Sequence, residues 1–192
     1  MRLLFTSLLL LSIASTPVDC IMIDKKIYKV CYSQDLQNPV SADYVVYQYR
    51  KGVDRKGVDF YGEKDITTAD NVDFADNVYD KGHLAPAESF GSTRENLLTT
   101  FSYVNCSLQH YKLNRGVWAS LEQKERDWSQ QDSVVVHVDI LFSAVPKRVK
   151  GGAAIPDWFM KTITLKKANV KYTYRFPNKD TSGKGLENYL VK

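Results

Sequence analysis

The sequence lacks most of the short motifs that identify common enzyme and metal-binding classes. It contains no CxxC pair, which argues against a zinc ribbon or a thioredoxin-type redox site. It also has no GxxxxGK[ST] loop, no GxSxG elbow and no HExxH pair, so the sites that these motifs build are not indicated. Histidine is scarce, with three in the chain, and this leaves few positions for acid–base chemistry.

Cysteine is equally scarce. The three cysteines, Cys20, Cys31 and Cys106, allow one disulfide and one free thiol in an exported chain. The pairings Cys20 with Cys31 and Cys31 with Cys106 are both compatible with the sequence.

Long hydrophobic runs are absent beyond the N-terminus. The first fourteen residues combine one positive residue, a short apolar run and small residues at Ser12 and Ala14, as in a secretory signal peptide. The run is shorter than the ~20 residues that a membrane-spanning helix needs. We therefore assign residues 1–19 to a signal peptide, with cleavage between about 14 and 20, and residues 20–192 to a single domain. The mature protein is expected to be soluble, extracellular (or periplasmic in a bacterium) and not bound to a membrane.

The excess of positive charge is small. Lys and Arg number 26 and Asp and Glu 22, which leaves a net charge of +4. This excess alone does not indicate a nucleic-acid partner. Basic clusters at 50–56, 147–150 and 166–167 are more suggestive, although a solvated surface explains each of them on its own.

The patterns that are present favour an α+β fold with a mainly antiparallel central sheet. Apolar spacings of three and four predict a helix from about Arg115 to Ser129, with Asn114 as its N-cap. Asn38–Pro39 is predicted to be a turn, and the acidic stretch before residue 80 a solvated loop or short helix. Segments rich in β-branched and aromatic residues predict strands at 27–32, 44–49, 133–142, 158–165 and 170–176, the last two adjacent.

Of the three histidines, His83 has the neighbours best suited to catalysis. Asp80 and Lys81 lie just before it, and histidine titrates near neutral pH, so it can take a proton from water. His137 lies in an apolar strand and is predicted to be packed, while His110 is interpreted as a surface or structural residue.

The segment DKGHLAP, from Asp80 to Pro86, resembles the Asp-Arg-Gly-His signature of the DNA/RNA non-specific endonucleases, which are ββα-metal (His-Me finger) nucleases. Further segments fit the family in order and with similar spacing. They are YVNCSLQ at 103–109, LNRGVWASLE at 113–122, IPDWFMK at 155–161 and FPN at 176–178. The resemblance thus spans most of the mature chain.

This resemblance implies a ββα-metal active site in an endonuclease that hydrolyses DNA and RNA to 5′-phosphate products without sequence preference. His83 would be the general base that activates water. Asn114 would be the protein ligand of a single Mg²⁺, for which Mn²⁺ could substitute. Glu122 would hold metal-bound waters.

The same resemblance implies supporting roles for three more residues. Asn105 would orient the base or stabilise developing charge, Lys81 would face the scissile phosphate, and Arg55, in a loosely aligned loop, would add a second cation. Lys81 replaces the family's arginine and lacks its planar fork, so catalysis is expected to be retained or weakened. Leu108 replaces a family proline. Asn105 also begins an N-x-S glycosylation pattern, but as an active-site residue it is predicted to be unmodified.

Two alternatives fit the same residues. One is a nucleic-acid-binding protein on the same fold that has lost catalysis, and the other is a nuclease toxin restricted to particular substrates. The sequence is compatible with a preference for either DNA or RNA, and with a monomer or a homodimer.

Overall fold

The computed structural model describes residues 18–192, so the predicted signal peptide lies almost entirely outside the described residues. A six-stranded sheet dominates them, and every neighbouring pair of its strands is antiparallel. Its strands are β1 (Ile21–Asp24), β2 (Tyr28–Ser33), β3 (Asn38–Val46), β6 (Val134–Leu141), β7 (Trp158–Leu165) and β8 (Val170–Pro177), in that order across the sheet.

A separate two-stranded antiparallel ribbon pairs β4 (Tyr79–His83) with β5 (Cys106–His110). The short helices α1 (Ala87–Phe90) and α2 (Arg94–Thr100) lie between these strands in the chain. A kinked helix follows β5, and we call it the long helix. It consists of α3 (Tyr111–Leu113), a kinked segment (Asn114–Trp118) and α4 (Ala119–Trp128). Single 3₁₀ turns occur at Asn71–Phe74, Tyr103–Asn105 and Leu186–Asn188.

The main core lies between the six-stranded sheet and the long helix. Burial alternates along β6, as expected for a strand with one face against a core. Trp118 of the long helix is fully buried and meets Phe159 and Phe176 edge-on, with ring centroids 5.6 and 5.7 Å away. The same cluster includes Leu84, which directly follows His83. The core therefore anchors both the end of β4 and the long helix.

The predicted α+β class and mainly antiparallel sheet are confirmed, but the predicted turn at Asn38–Pro39 is wrong, because β3 begins there. The buried Asn38 carboxamide donates to the carbonyl oxygens of Leu36 at 3.0 Å and Ala154 at 2.9 Å. Pro39 lies opposite Tyr32 at a β-bulge, where a residue without an N–H is tolerated. The chain reverses just before, and Gln37 takes the positive φ of 50°.

The long helix begins at Tyr111, four residues before the predicted start. Its N-cap is His110, whose Nδ1 accepts from the Lys112 N–H at 3.2 Å, in agreement with a structural role for this histidine. The prediction that Asn114 is the N-cap is therefore wrong. Asn114 has helical φ/ψ, and its side chain points to another partner.

His137 lies in a strand as predicted, but its predicted packing is wrong. Its ring faces away from the core, with Nδ1 2.7 Å from Asp43 and Nε2 3.0 Å from Asp139. Although partial burial opposes the charge, these two carboxylates raise the pKa of His137.

The acidic stretch before β4 forms a loop with one 3₁₀ turn, but it is not uniformly solvated. Asp73 is buried and accepts from the backbone N–H groups of Asp70 at 2.9 Å and Ala153 at 3.0 Å. A disulfide joins Cys20 to Cys31 and leaves Cys106 buried as a free thiol. None of the helices in residues 18–192 is long and apolar enough to cross a bilayer.

Candidate active site

Strand β4 distributes the candidate residues to its two faces. Successive strand side chains point to opposite sides, so Lys81 and His83 share one face and Asp80 occupies the other. Gly82, between them, is opposite Ser107 of β5. A Cβ at Gly82 would lie 2.6 Å from the Gln109 Cβ, so only glycine lets the ribbon close here.

His83 ends β4 in an aromatic pocket. Its ring centroid is 4.8 Å from those of Phe60 and Phe101. Its Nε2 is buried and has no hydrogen-bond partner within residues 18–192. Burial, together with the nearby charge of Arg55, lowers the pKa of His83 to about 3. The imidazole is therefore neutral at physiological pH, and one ring nitrogen is available to accept a proton.

Asn105 fixes the chain that follows His83. It is fully buried, and its Oδ1 accepts from the Ala85 N–H at 2.9 Å. Its Nδ2 donates to the carbonyl oxygens of Ala85 and Thr100, both at 2.9 Å. These bonds close off the carboxamide, so the folded protein offers no route to a glycan on Asn105. They also place the Asn105 carboxamide against the backbone that follows His83, and no hydrogen bond joins the side chains of these two residues.

Lys81 is already engaged by the loop before β4. Its ammonium donates to Asp59 at 2.9 Å and to the side-chain oxygen of Asn71. It also lies 5.4 Å from the Phe60 ring centroid and 5.5 Å from that of Tyr103. Partial burial opposes the charge, but the hydrogen bonds and charge attraction of Asp59 and Tyr103 together outweigh it and raise the pKa of Lys81. Lys81 is thus a fixed cation on the same face of β4 as His83.

On the opposite face of β4, Asp80 links the ribbon to the long helix. Its carboxylate accepts from Asn114 Nδ2 at 2.9 Å and from Arg115 at 2.8 and 2.6 Å. Burial opposes the charge on Asp80, but these hydrogen bonds lower its pKa. Asn114 opens the kinked segment of the long helix, in which Gly116 has the non-helical angles φ −105° and ψ −114°.

Glu122 lies two turns further along the long helix, beside a buried ion pair that the sequence interpretation missed. Lys161 of β7 is fully buried and donates to Glu125 at 2.9 Å and to the Tyr44 hydroxyl at 3.1 Å. The Tyr44 hydroxyl in turn donates to Glu125 at 2.8 Å. Burial raises the pKa of Glu122 to about 7, with Lys161 opposing the rise and Glu125 adding to it.

A signal for this ion pair exists in the sequence. The apolar residues of β7 alternate, and Lys161 occupies a position on the inward face between Phe159 and Ile163. A lysine on a buried face requires a counter-charge. Which acid supplies that charge depends on how the long helix crosses the sheet.

The site residues thus form three local groups. His83 lies with Arg55 and with Asn105, whose hydrogen bonds to Ala85 and Thr100 we call the Asn105 latch. The other two groups are Lys81 with Asp59 and Asn114 with Asp80. Within residues 18–192, no hydrogen bond or salt bridge joins His83 to Asn114 or Glu122. The same residues contain no group of three or more His, Cys, Asp or Glu side chains arranged to hold a metal ion. Any metal here would therefore depend on few protein ligands.

Comparisons with known proteins point to one family. The family model of the DNA/RNA non-specific endonucleases matches residues 10–192. Nuclease C1 of Cunninghamella echinulata var. echinulata is 29% identical over 160 residues, which are 73% of this chain and 64% of that protein. Mitochondrial endonuclease G of Homo sapiens is 29% identical over 157 residues, 72% of this chain and 53% of that protein. This chain therefore spans less than two thirds of the length of either relative.

The fold agrees with a solved structure. The crystal structure of the EndoG/EndoGI complex contains a chain with a TM-score of 0.78 at 21% sequence identity, over 89% of this chain and 80% of that one. At this identity the likeness concerns the fold. The resemblance seen in the sequence is confirmed by the family match across the site segments. The chain belongs to the DNA/RNA non-specific endonuclease family.

Proposed function

We propose that this protein is a secreted, Mg²⁺-dependent endonuclease that hydrolyses phosphodiester bonds of DNA and RNA and leaves 5′-phosphate ends. The observation that carries the proposal is His83, which is neutral and whose Nε2 has no hydrogen-bond partner among the described residues. The same strand holds, on its other face, the Asp80 carboxylate that orients Asn114. Family membership supports a nucleic-acid substrate.

His83 is the general base of the proposed reaction. It removes a proton from a water molecule as the water oxygen bonds to phosphorus and the bond from phosphorus to the 3′-oxygen breaks. The departing 3′-oxygen gains a proton from solvent. Burial and Arg55 keep His83 unprotonated beforehand, and the negative charge of an incoming phosphate would raise its basicity when the proton is transferred.

The cations and the latch have separate tasks. Lys81 and Arg55 offset the negative charge that accumulates on the phosphate oxygens. Asn105 holds the backbone after His83 and so keeps the ring on the Lys81 face.

Asn114 suits a hard cation. Its Nδ2 is committed to Asp80, which leaves the carboxamide oxygen to act as a ligand. Mg²⁺ accepts one or two protein oxygens with water in its other positions, and Mn²⁺ favours similar ligands. When bound, the ion would supply Lewis-acid charge for the phosphate. Glu122, which is partly ionised at neutral pH, would accept hydrogen bonds from water in the site.

Secretion is part of the proposal. The Cys20–Cys31 disulfide is typical of an oxidising compartment, and it agrees with a signal peptide in residues 1–19. Mass spectrometry of the protein from its native medium tests both points, because it reports the N-terminus and the bond together. An intact Met1 on reduced protein would contradict the export proposal.

The test of the activity is digestion of plasmid DNA and of RNA, side by side, with Mg²⁺ and with EDTA. His83→Ala should lower the rate by roughly 10²–10⁴-fold, as expected for loss of a general base. His137→Ala is the matched control, because its ring lies on the outer face of the sheet. Activity that survives both EDTA and His83→Ala would contradict the assignment.

One observation favours the non-catalytic alternative. The Lys81 ammonium is already held by Asp59 and Asn71, so a substrate phosphate must compete for it. Tight binding of both nucleic acids without cleavage in Mg²⁺ or Mn²⁺ would support that alternative. Cleavage confined to one RNA in a mixed digest would instead support a restricted toxin.

A further inference from the structure

A cleft beside Asn114 has no role in the chemistry described so far. Its volume is about 490 Å³, and it opens between the start of the long helix and the loop at 181–184. Arg115 and Gly116, which directly follow Asn114, line one wall. The cleft thus adjoins the candidate metal ligand along the chain, and neither His83 nor the aromatic residues of its pocket line it.

Cations dominate the walls of this cleft. Lys112, Arg115 and Lys184 line it, and no acid does. Asp80 pairs with Arg115, and Asp180 lies near Lys112, so three cations face two carboxylates and leave an excess of one positive charge. Neither Lys112 nor Lys184 makes a salt bridge within residues 18–192. Both ammonium groups are therefore available to a ligand.

The two walls are tied together before any ligand arrives. Asn178 accepts from the His110 N–H at 2.8 Å and donates to the carbonyl oxygens of Leu108 and Pro156 at 2.9 Å. Thr181, which is buried, donates to the Lys112 carbonyl at 3.2 Å. A cleft with fixed walls loses little conformational entropy on binding.

An aromatic ring lies among these cations. The Tyr111 ring centroid is 5.2 Å from the Lys112 ammonium and 5.6 Å from the Arg115 guanidinium. Anionic groups that repeat beside flat aromatic groups characterise a polynucleotide strand, and protein sites for single strands combine cations with aromatic rings. An acidic peptide would use the cations but not the ring.

We propose that this cleft binds the substrate strand beyond the scissile phosphate, with Lys112 and Lys184 contacting backbone phosphates. The proposal rests on the proposed function, because it assumes a nucleic-acid substrate at Asn114. The contacts are to phosphate rather than to base edges, so the subsite would lengthen the bound strand without adding sequence preference.

The test is binding of a fluorescent single-stranded oligonucleotide in EDTA across a salt series. Each phosphate contact contributes to the dependence of log K on log salt concentration. The Lys112→Ala/Lys184→Ala double variant should therefore flatten the slope by about 1.4, because each contact to a single strand contributes about 0.7. The control is Lys150→Ala/Lys171→Ala, which removes two exposed lysines outside the cleft and should leave the slope as in the wild type.

Equal slopes in the wild type and the cleft variant would overturn the proposal, and so would equal flattening in both double variants. Circular dichroism melts check that the exposed substitutions leave the fold intact. The wild-type protein is then incubated with the same oligonucleotide in Mg²⁺. Binding that depends on the cleft but without cleavage would contradict the nuclease proposal and leave the subsite supported, so the two failures are distinguishable.

Discussion

Lys81 donates a 2.9 Å hydrogen bond to Asp59, and this ion pair occupies the cation that we propose faces the scissile phosphate. The Asp59 side chain is 69% exposed and that of Lys81 24% exposed, so the acid reaches the cation from the solvent side. The Phe60 and Tyr103 rings contact the same ammonium through cation–π interactions. A phosphate must therefore displace Asp59 to reach Lys81.

Replacing Asp59 with Asn should lower the KM for nucleic acid several-fold. The change removes the charge that competes with phosphate but keeps the shape of the side chain. Salt screens exposed charges, so the effect should be largest at low ionic strength. Initial rates of cleavage at several salt concentrations measure it.

Asp54→Asn is the matched control, since Asp54 lies in the same loop and its carboxylate accepts from the Lys56 N–H, at 2.9 Å, and from no cationic side chain within residues 18–192. A rise in KM with Asp59→Asn would mean that Asp59 orients Lys81 for substrate rather than blocking it.

Lys81→Arg should hold or raise turnover, because a guanidinium can form hydrogen bonds to two phosphate oxygens at once.

The pKa of His83 predicts how acid affects the stability of the fold. In the unfolded chain a histidine titrates near 6.5, whereas burial lowers the pKa of His83 in the folded protein to about 3. The unfolded state therefore binds more protons between these values. The stability contributed by neutral His83 is present above about pH 6.5 and is lost as pH falls towards 3, by at most about 1.4 kcal/mol per pH unit.

His83→Gln should therefore flatten the loss of stability between pH 7 and pH 4, measured by urea unfolding. His137→Gln should leave the slope below about pH 6.5 unchanged and act at higher pH instead, because its two carboxylate partners raise the pKa of His137. Its contribution is present below the unfolded pKa and is lost as pH rises through the folded one. Parallel pH curves for the wild type and His83→Gln would mean that His83 is not held neutral.

The sheet could be predicted from sequence where its strands are rich in β-branched and aromatic residues. Val134–Leu141, Trp158–Leu165 and Val170–Pro177 lie within one residue of their predicted bounds. β-branched and aromatic residues pack well on a half-buried strand, so their density is a strong signal. The β4–β5 ribbon was not predicted from sequence. Its residues serve the site, and the polar side chains of Asp80, Lys81 and Gln109 interrupt any run of β-branched and aromatic residues.

The site was predictable only in part. Helical spacing places Asn114 and Glu122 on one helix, and the motif at 80–86 identifies His83. The pairs Asp59 with Lys81 and Glu125 with Lys161 bring together residues from separate elements. Such pairs depend on how a loop or a helix crosses a strand, which no local pattern specifies.

Asn105→Ala should destabilise the protein by about 3 kcal/mol or more, because it leaves buried groups of Ala85 and Thr100 without partners. Thermal or urea unfolding measures this cost. Asn77→Ala is the control, since Asn77 also makes three hydrogen bonds but is exposed. Water replaces its bonds, so its cost should be well below that of Asn105→Ala. Similar costs for both variants would contradict the latch.

Lys161→Met should destabilise the fold by about 3–5 kcal/mol, because it leaves the Glu125 carboxylate buried without its counter-charge. Both side chains are fully buried, so water cannot replace the partner. The double variant Lys161→Met/Glu125→Leu removes both charges and should recover most of the loss. Urea unfolding of the two variants measures the difference.

The pKa of Glu122 is a second readout of the Lys161–Glu125 ion pair, and a change in packing alone would not shift it as the charges do. Lys161 opposes the rise in the pKa of Glu122 and Glu125 adds to it. Lys161→Met should therefore raise that pKa above about 7. Glu125→Gln should lower it, since the repelling charge is gone. Carboxyl-carbon NMR titration of the metal-free protein follows both shifts without any need for catalysis. Shifts of the same sign in the two variants would mean that the pKa of Glu122 responds to local rearrangement. The charges of Lys161 and Glu125 would then not control that pKa.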